Sequence, residues 1–145
     1  MRHRLGLLLA LIPICASSFV LAGWDEGVAA FKKGDYRAAA TEFEDVATRD
    51  PRNWEAQLYL GRAYSKLGKY PLAEHALLAA ERHAREAKPA EKKRIWKQLG
   101  FAYEKQKKYG KSREAYLKAG ETKSAERVAG KESTAPPKRA PKRKR

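Results

Sequence analysis

Cysteine and the sequence motifs of common enzymes are almost absent from this chain of 145 residues. Its single cysteine, Cys15, lies in an uncharged apolar run near the N-terminus. The rest of the chain therefore can form no disulfide bond, cysteine-ligated zinc site or thiol nucleophile. Glycine-rich phosphate loops, the Gly-x-Ser-x-Gly motif and acidic pairs in an apolar setting are also missing. We therefore predict neither an enzymatic activity nor a bound cofactor.

Histidine is scarce as well. His75 and His83 are eight residues apart on one predicted helix, and His3 belongs to the N-terminal segment. Two histidines that bind one metal ion from a single helix are typically about four residues apart. We therefore interpret His75 and His83 as surface residues and predict no metal site.

Acidic residues are few, at 17 against 32 Lys and Arg, which gives a net charge of +15. The imbalance is uneven along the chain. Residues 23–51 carry seven acidic and four basic side chains, residues 52–130 nine and nineteen, and residues 131–145 one and seven. A field of this sign attracts acidic partners or anionic surfaces, and it carries no information about the fold.

The only long apolar run lies within residues 1–22. Residues 1–4 are basic, residues 5–22 carry no charge, and residues 20–22 offer a cleavage site before Gly23. This pattern is typical of a secretory signal peptide. An uncleaved anchor stays open, because the run is near the lower limit for crossing a bilayer. Both alternatives predict an exported protein, in a bacterial periplasm or outside the cell, since the basic end stays inside.

One sequence pattern recurs three times after this segment. Residues 27–43, 61–77 and 100–116 each begin with glycine and share a similar order of small, basic and aromatic residues. Gly27 and Gly61 are 34 residues apart, whereas Gly61 and Gly100 are 39 apart. A period in this range predicts a repeat array whose units bury a core by stacking. Five extra residues near 83–93 predict either a bend or a longer helix.

Each repeat contains two apolar patterns with a helical period. Gly34 and Gly68 are suited to left-handed helix C-caps, and Pro71 and Pro89 to first helical turns. Residues 131–145 have no apolar period and are predicted to be disordered. The predicted helices are 24–33, 37–49, 53–67, 71–87, 90–107, 110–119 and a capping helix at 121–129, in a domain 23–130 with units 24–51, 52–87 and 88–120.

The residues of these units resemble the tetratricopeptide repeat family. Residues 96–103, WKQLGFAY, are similar to the first half of the family pattern, and Gly34-Asp35-Tyr36 and Gly68-Lys69-Tyr70 to its turn. The resemblance covers residues 24–119. It implies an all-α, right-handed solenoid of about three helical hairpins that binds a protein partner in a concave groove lined by the first helix of each unit.

The resemblance also implies which side chains line that groove. Co-chaperone members of the family hold a C-terminal carboxylate with Lys and Asn, but Val28 and Arg62 stand where asparagine is expected. Apolar Leu58 and Phe101 among basic side chains suit an acidic peptide with an apolar anchor, and a solvated basic face is the alternative. The predicted groove residues are Val28, Lys32, Leu58, Arg62, Lys66, Arg94, Lys97, Phe101 and Lys105.

The C-terminal tail offers a second hypothesis. It would indicate a nuclear or nucleic-acid signal in a cytosolic chain, but the export signal argues against that. The alternatives are an anionic polymer, a membrane surface, an acidic protein or no partner. A third hypothesis is a structural subunit whose ends stack on another protein, and the oligomeric state stays open. The predicted electrostatic residues of the tail are Lys138, Arg139, Lys142, Arg143, Lys144 and Arg145.

Overall fold

The computed structural model describes residues 23–134, which form seven helices and no strand. The predicted signal segment 1–22 and residues 135–145, with the six cations of the tail, lie outside the described residues. Each helix packs on the next through a short connection, so that consecutive helices form antiparallel hairpins. The helices are α1 Trp24–Lys33, α2 Tyr36–Arg49, α3 Trp54–Lys66, α4 Tyr70–His83, α5 Pro89–Lys105, α6 Tyr109–Ala119 and α7 Thr122–Thr134.

The turns inside the three hairpins share one backbone conformation. Gly34 and Gly68 adopt φ of 84° and 72°, the left-handed conformation in which glycine carries no Cβ penalty. Lys107 holds this position in the third turn, at φ of 59°. The third hairpin therefore closes with a lysine in a conformation that favours glycine.

Glycines in the first helices allow each hairpin to pack closely. A Cβ atom at Gly61 would lie 2.5 Å from Leu77 Cγ, and one at Gly100 would lie 2.8 Å from the Tyr116 ring. Gly27 faces Phe43 in the same way, at 2.9 Å. The recurring glycine of the sequence is thus the contact point between the two helices of each unit.

The core is divided along the array. Phe43, Val46 and Leu60 are buried between the first two hairpins, and Leu77, Ile95 and Leu99 between the second and third. A smaller cluster of Tyr116, Ala125 and Val128 joins α6 to α7. Each hairpin therefore buries apolar surface against its neighbours, as a stacked array requires.

The five extra residues lengthen a helix. α5 begins at Pro89 and is 17 residues long. It has four more residues before Gly100 than α3 has before Gly61. The fifth extra residue lies in the α4–α5 connection, which is one residue longer than the α2–α3 connection. α4 ends at His83, so the prediction of a helix to residue 87 was wrong. Alanine and charged residues there look helical in sequence, but the chain must turn before Pro89.

The capping helix is longer than predicted. α7 continues to Thr134, so residues 131–134 belong to the helix and not to the tail. Val128 anchors it in the core, and the Lys131 ammonium lies 2.7 Å from Glu104 Oε1. Among residues 23–134, no helix is long and apolar enough to cross a membrane.

Candidate functional site

The exposed surface of α1, α3 and α5, here called the first-helix face, carries most of the predicted site. Val28, Arg62 and Phe101 occupy equivalent positions of the three repeats, because they follow Gly27, Gly61 and Gly100 directly. Lys32, Lys66 and Lys105 follow four residues later, on the same side of each helix. These six side chains form two rows across the array.

Arg62 is the cation of this face that contacts two aromatic rings. Its guanidinium carbon lies 4.7 Å from the centre of the Phe31 ring and 4.9 Å from the centre of the Tyr59 ring. The side chain is half-buried, and no carboxylate of the described residues forms a salt bridge with it. A planar guanidinium stacked on two rings keeps its charge and its hydrogen-bonding fork available.

The rings beneath Arg62 also connect it to a second cation. Phe31 and Tyr36 pack edge to face at 5.2 Å, and the Lys66 ammonium lies 5.8 Å from the Tyr36 ring centre. We call Phe31, Tyr36, Tyr59, Arg62 and Lys66 the aromatic–cation cluster. It joins the first two hairpins and presents two positive charges on one apolar base.

The third repeat supplies an apolar counterpart. Phe101 is 37 % exposed, and its ring contacts Tyr70 at 6.2 Å between ring centres. The Lys105 ammonium lies 5.4 Å from the Phe101 ring centre. An exposed aromatic ring next to a cation can contact an apolar side chain of a partner and an acidic one beside it.

The far end of the face is occupied by α7 and its connection. Lys97 forms an ion pair with Glu121 at 2.5 Å, which offsets its charge. Glu104 receives hydrogen bonds from Arg127 and Lys131, and Arg127 above all lowers the Glu104 pKa to about 2. Burial, with the Glu104 charge, raises the pKa of Tyr116 to about 12. These bonds fix α7 against α5.

One predicted groove residue is misplaced. Leu58 is only 3 % exposed and belongs to the core cluster around Leu77 and Ile95, so it cannot anchor a ligand on the surface. The physical reason is its position on α3, where it points between the second and third hairpins. Val28 is half-buried against the first core cluster. Lys32 and Arg94 are exposed.

The rings of the aromatic–cation cluster were missed by the sequence analysis. The sequence placed Tyr36 in the turn of the first repeat, and Tyr59 was not singled out. The available signal was the spacing of Tyr59 and Arg62, three residues apart on one helix. Phe31 lies in another repeat, so its contact with Arg62 depends on how the hairpins stack. Residues 23–134 contain no group of three or more His, Cys, Asp or Glu that could hold a metal ion.

Comparisons with known proteins place this geometry in a family. Among curated proteins, no sequence matches the chain. The first tetratricopeptide domain of Spaghetti (RPAP3), solved with the HSP90 peptide SRMEEVD, is similar at 19% identity with a TM-score of 0.72, covering 81% of this chain and 96% of that one. The TPR2B domain of yeast Sti1, solved as a pHsp70 complex, is similar at 17% identity with a TM-score of 0.69, covering 79% of this chain and 99% of that one.

A further similar structure comes from a bacterium. MamA from Desulfovibrio magneticus RS-1 is 25% identical with a TM-score of 0.59, covering 75% of this chain and 71% of that one. At the level of sequence, the profile named Tetratricopeptide repeat matches residues 25–91 and 61–126, which together make up most of the chain. The stacked hairpins and this match lead to one conclusion: the chain belongs to the tetratricopeptide repeat family.

Proposed function

We propose that this protein is an exported interaction module that binds an acidic segment of a partner protein on its first-helix face. The single observation that carries the proposal is Arg62, held over Phe31 and Tyr59 without a carboxylate partner among residues 23–134. Export rests on the sequence of residues 1–22, which has the form of a secretory signal.

The chemistry of Arg62 favours a carboxylate. A guanidinium donates two parallel hydrogen bonds to one carboxylate, and such bonds are shorter and stronger than neutral ones. Its two rings fix the side chain in advance, so binding loses less side-chain entropy than it would with a free lysine. Lys66 extends the positive surface toward a second acidic residue, and Phe101 accepts an apolar side chain.

Similar structures support an acidic ligand but with different contacts. The RPAP3 domain was solved with the peptide SRMEEVD, which contains two glutamates and a terminal aspartate. In the present chain Val28 and Arg62 replace the asparagines expected for a terminal-carboxylate clamp. We therefore propose that acidic side chains within the partner, rather than its chain terminus, dominate recognition here.

Titration with labelled heptapeptides tests this proposal. SRMEEVD, its C-terminal amide and a version with Gln and Asn in place of the acids should be compared on wild type and on Arg62→Gln. We expect the amide to bind like the free acid and Arg62→Gln to weaken both at least tenfold, since truncating a charge-paired anchor is costly. Arg113→Gln, an exposed arginine of α6, is the matched control. Equal binding by the two variants would contradict the proposal.

The basic tail carries the second candidate function, attraction to an anionic polymer or surface. Six of the last eight residues, 138–145, are Lys or Arg. Tail-driven binding should fall steeply with salt, whereas binding anchored by Phe101 and Arg62 should fall less. Deleting residues 135–145 should then weaken binding to a polyanion such as heparin and leave peptide binding at moderate salt unchanged. A structural subunit is the third candidate, and solution mass would identify it.

A further inference from the structure

The positive charge of the folded array is concentrated on one edge. The turn edge comprises the three turns inside the hairpins, with the four helical residues on each side of them, residues 30–39, 63–73 and 102–112. It carries nine Lys and Arg and two acidic residues. The rest of the described residues carry 15 of each sign, so this edge holds the entire net charge of the described part of the chain.

The opposite edge provides an internal comparison. It comprises the connections between hairpins and the same flanking helical turns, residues 46–57, 80–92 and 116–125. This edge carries eight basic and six acidic residues. Both edges have similar numbers of cations, but the turn edge carries two acidic residues where the opposite edge carries six. The asymmetry is therefore a property of the surface and not of overall composition.

Contacts link each of the three turns to its neighbour. Lys66 of the second turn reaches the Tyr36 ring of the first, and Gln106 Nε2 of the third donates to the Tyr70 carbonyl oxygen of the second at 3.3 Å. Several ammonium groups rest near aromatic rings, among them Lys69 by Tyr64 at 6.0 Å. Two acidic side chains, Glu74 of α4 and Glu132 of α7, reach this edge from outside its ranges. Within residues 23–134, Lys108 is the only one of the nine cations that forms a salt bridge, and its partner is Glu74.

The turn edge also contains an exposed apolar residue. Leu72 is the third residue of α4, in the second of the three turn regions, and is 48 % exposed. Eight of the nine cations are lysine, a hydrated point charge that needs no fixed acceptor geometry, and one is arginine. Lysines around an exposed leucine match a fluid layer of lipid phosphates above hydrocarbon. Nucleic acid would favour arginine and exposed stacking rings, whereas the six aromatic rings of this edge are buried or half-buried.

We propose that the turn edge docks the folded array on a bilayer that contains anionic phospholipid. In this arrangement the lysines of the three turns face the lipid phosphates, and Leu72 enters the interface. The turn edge overlaps the first-helix face at Lys32, Lys66 and Lys105, but Arg62 and Phe101 lie outside it. Docking involves the folded array and not the tail, and the lysines chosen to test it lie outside the predicted groove.

The test uses the chain after the predicted cleavage, residues 23–145, and two matched quadruple variants. The turn-edge variant is Lys33→Gln, Lys69→Gln, Lys107→Gln and Lys111→Gln, all exposed and outside the predicted groove. The control is Arg52→Gln, Arg82→Gln, Lys88→Gln and Lys123→Gln, which removes the same charge from the opposite edge. Binding to equimolar phosphatidylcholine–phosphatidylglycerol vesicles is measured by sedimentation, with circular dichroism to verify folding.

Each lysine close to an anionic bilayer strengthens binding by about fivefold. We therefore expect the turn-edge variant to lose at least tenfold in vesicle partitioning, the control to lose less than threefold, and neither to change peptide binding. Equal losses in both variants would overturn the proposal in favour of net charge. If neither variant loses vesicle binding, the tail is responsible for that binding. If the turn-edge variant loses binding to an oligonucleotide and the wild type does not bind vesicles, the edge is a nucleic-acid site.

Two leucines separate insertion from simple attraction. Leu72 and Leu117 are 48 % and 50 % exposed, on the turn edge and the opposite edge. Leu72→Asn should reduce vesicle partitioning several-fold, and Leu117→Asn should leave it unchanged. Equal behaviour of the two variants would show that no apolar residue of this edge enters the bilayer, which would contradict the proposed docking geometry.

Discussion

Lys107 is the clearest case of a single residue under conformational strain. It adopts φ of 59° at the turn position where the first two hairpins have glycine. A side chain in this region costs roughly 1–2 kcal/mol, partly offset because glycine has more freedom in the unfolded chain. We expect Lys107→Gly to raise the free energy of unfolding by about 0.5–1 kcal/mol, measured by urea denaturation. Gly68→Ala should have the opposite effect, and a destabilised Lys107→Gly would argue against strain.

Glu104 makes stability depend on pH. Its pKa is lowered to about 2 by hydrogen bonds from Arg127 and Lys131, while its ordinary value is 4.5. A carboxyl group whose pKa is lowered by folding stabilises the fold at every pH above its ordinary pKa. This contribution disappears as the pH falls from about 4.5 through about 2. Since both cations are half-exposed, we expect about 2 kcal/mol at pH 7.

Comparison of Glu104→Gln with wild type measures this contribution. The difference in free energy of unfolding should be largest near neutral pH and should shrink in acid. Glu126→Gln, on the exposed side of α7, is the control and should behave like wild type at every pH. A Glu104→Gln difference that is constant with pH would mean that the carboxylate charge does not hold α7.

At the scale of the element, glycine fixes the distance between paired helices. Gly61→Ala would place a Cβ atom 2.5 Å from Leu77 Cγ, so α3 and α4 would have to separate. We expect a loss of about 1–3 kcal/mol in the free energy of unfolding. Gly130→Ala in α7 meets nothing within 4 Å and should stabilise by about 0.5–1 kcal/mol through helix propensity. Thermal melts of both variants would check this, and destabilisation by both would contradict the packing argument.

The sequence predicts where helices begin and end better than it predicts which of their side chains are buried. Gly34 and Gly68, with Pro71 and Pro89, mark helix ends through local backbone preferences, so most boundaries were confirmed within one or two residues. Leu58 and Arg62 lie one turn apart on α3, yet one is buried and the other lines the surface. The difference in burial depends on the stacking of neighbouring hairpins, and so does the contact of Arg62 with Phe31. A local sequence pattern therefore cannot predict either of them.

At the scale of the whole molecule, the array should tolerate loss of the tail. Residues 135–145 have no apolar pattern able to join the core. Truncation after Thr134 should therefore leave the melting temperature within a few degrees of wild type, whereas truncation after Gly130 should lower it more. The second cut removes Lys131, which bonds Glu104, and the last turn of α7. Equal melting temperatures for the two truncations would mean that this last turn contributes nothing.

The attachment of α7 sets where the molecule opens first. A small apolar cluster around Val128 and the bonds to Glu104 hold this helix, while α3 and α4 pack on neighbours at both sides. Amide hydrogen exchange should therefore be faster in α7 than in the middle hairpin, because local opening follows the number of stabilising neighbours. In acid, protonation of Glu104 loosens the same helix, and its release uncovers the apolar side of Tyr116. Acid-induced aggregation of this protein should accordingly start from its C-terminal end.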